Sequence, residues 1–253
     1  MRPLTSELPP PQLECFSDEQ LRFATLAWPM RAAEELRSAL IFRALAHSAR
    51  QLLPPPWPAR LRDAVRDELR HAQLCARVGA ALGAPQPEYD AQPVRARLAA
   101  LAEPWRRTAA LLLVEVAIGE TLSMLLFRAG KQRASEPLTR AALAAILTDE
   151  ARHQRLGWTA LATLWPLLLP GQRAMLQREA AAGLAACERQ QAVPALRWLE
   201  QRRAFDPAYA ALGVLHPEVR IEVFYDAVER LVIPRLTRLG LDGARAWSER
   251  YRR

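Results

Sequence analysis

Asp67-Glu68-Leu69-Arg70-His71 and Asp149-Glu150-Ala151-Arg152-His153 are two copies of one pentapeptide, Asp-Glu-x-Arg-His, 82 residues apart. In each copy Glu and His stand at i and i+3, which lie side by side on a helix. A Glu-x-x-His pair on each of two helices, joined by one Glu from each of two others, is how a four-helix bundle builds a two-metal carboxylate site. The reading therefore turns on whether two further Glu residues sit upstream in matching places.

They do. Glu35-Leu36-Arg37-Ser38-Ala39-Leu40-Ile41-Phe42-Arg43-Ala44 matches Glu120-Thr121-Leu122-Ser123-Met124-Leu125-Leu126-Phe127-Arg128-Ala129 in register at Glu, Ser, Leu, Phe, Arg and Ala. The offset is close to that of the pentapeptides, so the chain reads as a duplicated helical hairpin: a Glu helix, then a Glu-x-x-His helix, twice. Periodicity alone leaves Glu34 and Glu35 equally placed. Glu115 and Glu120 point about 140° apart on a regular helix, and only a π-bulge would bring both to one site. The repeat selects Glu35 and Glu120 and leaves Glu115 as a supporting or reserve ligand.

The second helix gives an independent check. Arg62, Arg66, Arg70 and Arg77 share one side of its wheel, while Glu68 and His71 fall among Leu61, Ala64, Cys75, Val78 and Leu82. A Glu and a His on an apolar face need partners. The expected ligands are Glu35, Glu68, His71, Glu120, Glu150 and His153. Four carboxylates and two imidazoles suit two iron ions, with manganese also compatible, and the lack of thiolate ligands argues against structural zinc. Metal-bound His commonly donates its other N–H to a carboxylate, so Asp67 is expected to accept from His153 and Asp149 from His71, with Arg70 and Arg152 beside them. Ser38 and Phe42, their counterparts Ser123 and Phe127, and Cys75 are the candidate pocket residues.

The rest of the sequence bounds this reading. The chain has 253 residues, 51% of them hydrophobic, enough for one large core. Ala, Leu, Arg and Glu dominate, which favours an all-α fold. The net charge of +8 is carried almost wholly by Arg, since Lys131 is the only Lys; the arginines are spread over every helix, which speaks against nucleic acid. Cys15, Cys75 and Cys187 make neither a disulfide framework nor a zinc motif. The N-terminus has no apolar signal segment, so cytoplasm is the default. Ala109 to Phe127 is apolar enough to resemble a membrane span, but Glu115 and Glu120 near its middle favour a buried bundle helix.

Along the chain, residues 1–16 read as an extended or disordered lead-in, 17–168 as the bundle and 169–253 as a C-terminal helical extension packed on it. Ser17-Asp18-Glu19-Gln20 has the form of a capping box. Pro29 is expected to break or kink the helix that follows, giving a main first helix over 29–52. Further helices are expected over 58–82, 104–130 and 137–164, with 84–103 as a longer connection containing Pro85, Pro87 and Pro93 that suits a crossover, then over 171–203 and 217–239, interrupted by Pro194 and Pro234. His216 is expected to cap a helix and His47 to be solvated.

Glu35, Glu68-x-x-His71, Glu120 and Glu150-x-x-His153 resemble the ferritin-like superfamily of di-iron carboxylate proteins over about residues 29–165. The Asp-Glu-x-Arg-His form looks most like its oxygenase and reductase branches. Glu115-x-x-x-Gly119-Glu120-Thr121 and Asp67-Glu68-Leu69-Arg70-His71-Ala72-x-Leu74-Cys75 are similar to a group of bacterial ferritin-like domain proteins. The resemblance implies a four-helix bundle with a crossover between its hairpins, and an oxidoreductase that uses O2 or peroxide on a small organic substrate. Such a protein needs an electron donor, and a homodimer is compatible; no nucleic acid or membrane partner is expected. Alternatives are an iron-binding ferroxidase or catalase-like detoxifying protein without organic substrate, and an RNA-modifying hydroxylase. Departures narrow the choice. Cys75 stands where radical-bearing reductase subunits have Tyr. Ile146 stands where the arylamine N-oxygenases have a third His, which speaks against that branch. No rubredoxin module follows.

Overall fold

In a computed structural model, residues 8–252 are described, and among them there is no strand. Four long helices form a bundle. The first, Asp18–Ser48, starts at the capping box: Gln20 N donates to Ser17 Oγ (3.3 Å) and Ser17 N to Gln20 Oε1 (2.9 Å). The second is Pro56–Ala81, after which Gly83 turns the chain with φ +83°. The third runs unbroken over Pro104–Arg133 and the fourth over Pro137–Leu164. Glu136 caps the fourth by accepting from Leu138 N and Thr139 N. First packs on second, third on fourth, and the second and fourth meet across the middle.

Pro29 does not end the first helix. It removes one N–H from the ladder, but the residues around it hold the turn in place. Trp28, Ala24 and Ala32 are fully buried, and the Trp28 indole donates to Leu212 O at 3.1 Å. The crossover contains a short helix of its own, Gln92–Ala100. Residues 1–7 of the expected lead-in lie outside the described residues; 8–16 carry no helix, and Leu8, Leu13 and Phe16 pack on the bundle.

The third helix is long and apolar enough to cross a membrane by length and composition, but here it is the central element of the core. Leu111, Leu112, Leu113, Val116, Ala117 and Ile118 are at most 1% exposed. Leu112–Gly119 is π-helical. The fourth helix lies against this stretch because residue 157 is Gly: a Cβ there would stand 2.7 Å from the Val116 carbonyl carbon. The helices after the bundle are interrupted near Pro194 and Pro234, and Pro207–Ala211 and Gly243–Ser248 are additional. They comprise Pro170–Gln191, Val193–Glu200, Pro207–Ala211, Pro217–Ala227, a π turn at Val228–Val232, Ile233–Leu239 and Gly243–Ser248. Leu176, Ala180, Leu184, Phe224 and Val232 from this region share one apolar core with the bundle.

Candidate metal centre

Each bundle helix sends one acidic side chain inward. Glu35, Glu68, Glu120 and Glu150 are 1–7% exposed, and His71 and His153 are 0% and 2%. They form two overlapping groups, Glu35–Glu68–His71–Glu150 and Glu68–Glu120–Glu150–His153, in each of which one ligand atom per residue lies within 4.8 Å of the others. Glu68 and Glu150 belong to both groups, and Glu35 and Glu120 to one each. Glu34, in contrast, is exposed.

The imidazoles show what the cluster is built to hold. His71 Nε2 is 3.2 Å from Asp149 Oδ2 and His153 Nε2 is 3.2 Å from Asp67 Oδ2. A carboxylate only accepts, so each Nε2 carries the proton and each neutral ring turns its Nδ1 lone pair inward. There His71 Nδ1 faces Glu150 Oε1 at 3.2 Å and Glu35 Oε2 at 3.4 Å. His153 Nδ1 stands 2.7 Å from Glu68 Oε1, yet the pair lies outside hydrogen-bond geometry. Four buried atoms, Glu68 Oε1, His71 Nδ1, Glu150 Oε2 and His153 Nδ1, therefore have no partner. Lone pairs converging on one another in the interior call for cations between them. The donor set, oxygen-rich with one nitrogen per group, fits two iron ions.

Without metal the cluster must hold protons instead. Burial, then the charges of Glu35 and Glu150, push Glu68 well above the usual carboxylate range; burial, then Glu150 and Glu68, do the same to Glu120. Burial also acts on Glu150, but its contacts with His71 and Glu120 outweigh it and hold that carboxyl low. Burial opposes the imidazolium at both histidines, and the surrounding carboxylates outweigh it and raise both. Outside the rings the two Asp residues form a square with two arginines. Arg70 Nη2 donates to Asp67 (3.0 Å) and to Asp149. Arg152 Nη2 donates to Asp67 (2.9 Å) and to Asp149 (2.5 Å). Although half-burial disfavours its charge, Asp67 is held at about 2 by His153 and these arginines.

Glu115 does not join the cluster. The π stretch turns it to Arg37 (2.7 Å) and Arg97 (3.2 Å). It does line a cavity of about 470 Å³ that also reaches Glu35, Glu68, Glu120 and Glu150. Ser38, Ser123 and Phe127 line this cavity, while Phe42 and Cys75 do not. Phe42 packs on the His153 ring, with centroids 5.3 Å apart. Cys75 is fully buried in an apolar cluster with Trp28 and Ile146, and burial raises its thiol. His216 Nδ1 accepts from Glu218 N at a helix start, and His47 is exposed.

Two cavity residues escaped the sequence reading. Arg31, one turn before Glu35, donates to Gly213 O at 2.6 Å and leaves its Nη1 buried without a partner. Arg220 donates to Gln191 Oε1 at 2.9 Å, and burial, then the charge of Arg31, pull it down to about 10. The i−4 spacing of Arg31 to Glu35 was a usable signal. Arg220 had none, since only the folded C-terminal helices bring it there.

A helical bundle that converges four carboxylates and two imidazoles, each imidazole fixed by an Asp, defines a two-metal carboxylate protein of ferritin-like architecture. Within that class the chain belongs to the family described as P-aminobenzoate N-oxygenase AurF, whose model matches residues 59–233. This is a di-iron oxygenase family, so the chain is an oxygenase that uses O2 on a small organic substrate. The departure at Ile146 does not take the chain out of the family; the position is fully buried and apolar. No curated protein and no solved structure gives a significant match.

Proposed function

We propose that this protein is a cytoplasmic N-oxygenase of a small aromatic amine bearing a carboxylate. The observation that carries the reading is the pair of half-buried arginines in the cavity. Arg31 and Arg220 form no ion pair among the described residues, and a buried cation without a counter-ion is costly. A substrate carboxylate would supply that counter-ion, in the fork geometry guanidinium favours. Phe23, Phe127 and Trp198 give the cavity aromatic walls for a flat ring. The substrate named in the family's description, p-aminobenzoate, has this chemistry.

In this reading Glu35, Glu68, His71, Glu120, Glu150 and His153 hold two iron ions, which when bound supply O2 activation. Glu68 and Glu150, being common to both groups, would serve both ions. Asp67 and Asp149 fix the imidazole tautomers, and Arg31 and Arg220 aim the amine toward the carboxylate side of the cluster. One oxygen atom of O2 enters the N–H bond. The other leaves as water, with two electrons and two protons from an external donor.

The test is single-turnover oxidation of p-aminobenzoate by the ferrous-loaded chain under ¹⁸O2. The expected product carries ¹⁸O on nitrogen, and Arg220→Leu raises the substrate concentration needed for the half-maximal single-turnover rate with a smaller effect on the maximal rate. Recovery of unlabelled substrate, with many irons taken up per chain, would replace this reading with iron storage.

A further inference from the structure

The cluster has two unlike sides. Its carboxylates open onto the cavity, whereas its imidazoles point toward solvent through the square of Asp67, Asp149, Arg70 and Arg152. From either His Nε2 one hydrogen bond reaches an Asp and a second reaches an arginine at the surface. The Arg70 side chain is 32% exposed and that of Arg152 54%.

The surface around these two arginines is basic. Arg62, Arg66 and Arg77 extend the stripe of Arg70 along the second helix, and Arg155 stands one turn from Arg152 on the fourth; all four are exposed. Acids balance them only in part. Asp63 is paired with Arg66, while Asp67 and Asp149 are already matched by Arg70 and Arg152. The chain as a whole carries +8.

We propose that this face is the docking site of an acidic one-electron carrier protein, an iron–sulfur or flavin protein with a carboxylate-rich surface, which passes electrons inward along the Arg–Asp–His side. The proposal rests on reading the cluster as a di-iron oxygenase site. Each turnover consumes two electrons and two protons; two successive one-electron oxidations of the carrier supply the electrons, and solvent supplies the protons. Substrate fills the cavity side during turnover, so the donor approaches from the other. Electron transfer weakens steeply with distance, and on the histidine face two successive hydrogen bonds join the surface to the cluster. Charge complementarity at such a face speeds encounter and selects the partner.

The probe is an acidic [2Fe–2S] ferredoxin, titrated calorimetrically against the metal-free full chain at several salt concentrations. Binding is expected to weaken with salt. Arg66→Glu with Arg155→Glu should weaken it roughly tenfold or more, while Arg128→Glu with Arg238→Glu, at exposed positions on other helices, should leave it near wild type. In the iron-loaded chain the same Arg66/Arg155 variant should be reduced by ferredoxin about tenfold more slowly and by dithionite at the wild-type rate. Equal ferredoxin binding by both variants would overturn the docking site. Failure of dithionite to reduce the loaded chain would instead overturn the di-iron reading beneath it.

Discussion

The two hairpins carry the same Glu, the same Glu-x-x-His and the same Asp, yet the structure around them differs. The first helix passes Glu35 as regular α-helix, whereas the third arrives at Glu120 through a π stretch. One turn past the histidine the first half has Cys75, filling an apolar cluster, and the second has Gly157, against which the π-helical backbone lies. A π turn takes more residues than an α turn, and here it aims Glu115 at Arg37 and Arg97 rather than at the cluster. The inward-facing carboxylates and imidazoles match between the halves while the packing behind them differs. The carboxylates and imidazoles are constrained by one another across the bundle axis; the helix contacts need only fill space.

The largest effect expected separates shared from unshared carboxylates. Glu68→Ala or Glu150→Ala should abolish binding of both ions, whereas Glu35→Ala or Glu120→Ala should leave roughly one ion per chain, read by elemental analysis. A pattern following the hairpins, with Glu35 and Glu68 alike, would show that membership of both groups does not set metal binding. Next comes packing. Gly157→Cys, which copies the first half into the second, should cost about 1–3 kcal/mol by overpacking and lower Tm by several degrees, while Cys75→Ala should cost less. Equal tolerance would mean that the close approach of the fourth helix is not required.

Asp67→Asn and Asp149→Asn should each weaken metal affinity about tenfold, equally if the two halves are equivalent in charge; a one-sided loss would show that one histidine dominates. The smallest effect is in pH. In the metal-free protein Glu68, Glu120, His71 and His153 are raised. Their stability is therefore present at low pH and lost as pH rises through their folded values. Metal competes with those protons, so its contribution grows in the same direction. The Tm gap between loaded and metal-free protein should widen from about pH 6 to about pH 8. Asp67 and Asp149 are lowered and act with the opposite sign, but only at acid pH, through about 2 for Asp67. A gap that narrows would mean that the cluster binds metal without releasing protons.

The all-helical fold was legible because each bundle helix carries its own start signal and apolar face. Ser17, Glu136 and Pro104 open helices, and the inward face of the second helix is continuous from Leu61 to Val78. The repeat separated Glu35 from Glu34 where periodicity could not, and the structure turns Glu35 inward and Glu34 outward. What stayed hidden depends on contacts between distant segments. Pro29 is carried through a helix by Trp28 packing against residue 212. Phe42 and Cys75 share the helix faces expected to line a pocket, but neighbouring helices cover them. Arg220 reaches the cavity only after the chain folds back over the bundle.

That fold-back ends in one residue. Glu188, 4% exposed, accepts from Tyr225 Oη (2.7 Å), Arg250 Nε (2.5 Å) and Tyr251 Oη (2.8 Å). The helix bearing Glu188 supplies Cys187, Gln190 and Gln191 to the cavity wall, and the helix bearing Tyr225 supplies Pro217 and Arg220. Through Glu188, Arg250 and Tyr251 therefore brace two helices that each supply part of the cavity wall. A cavity wall that the metal cluster does not itself hold together is thus fixed by a carboxylate outside the cavity lining.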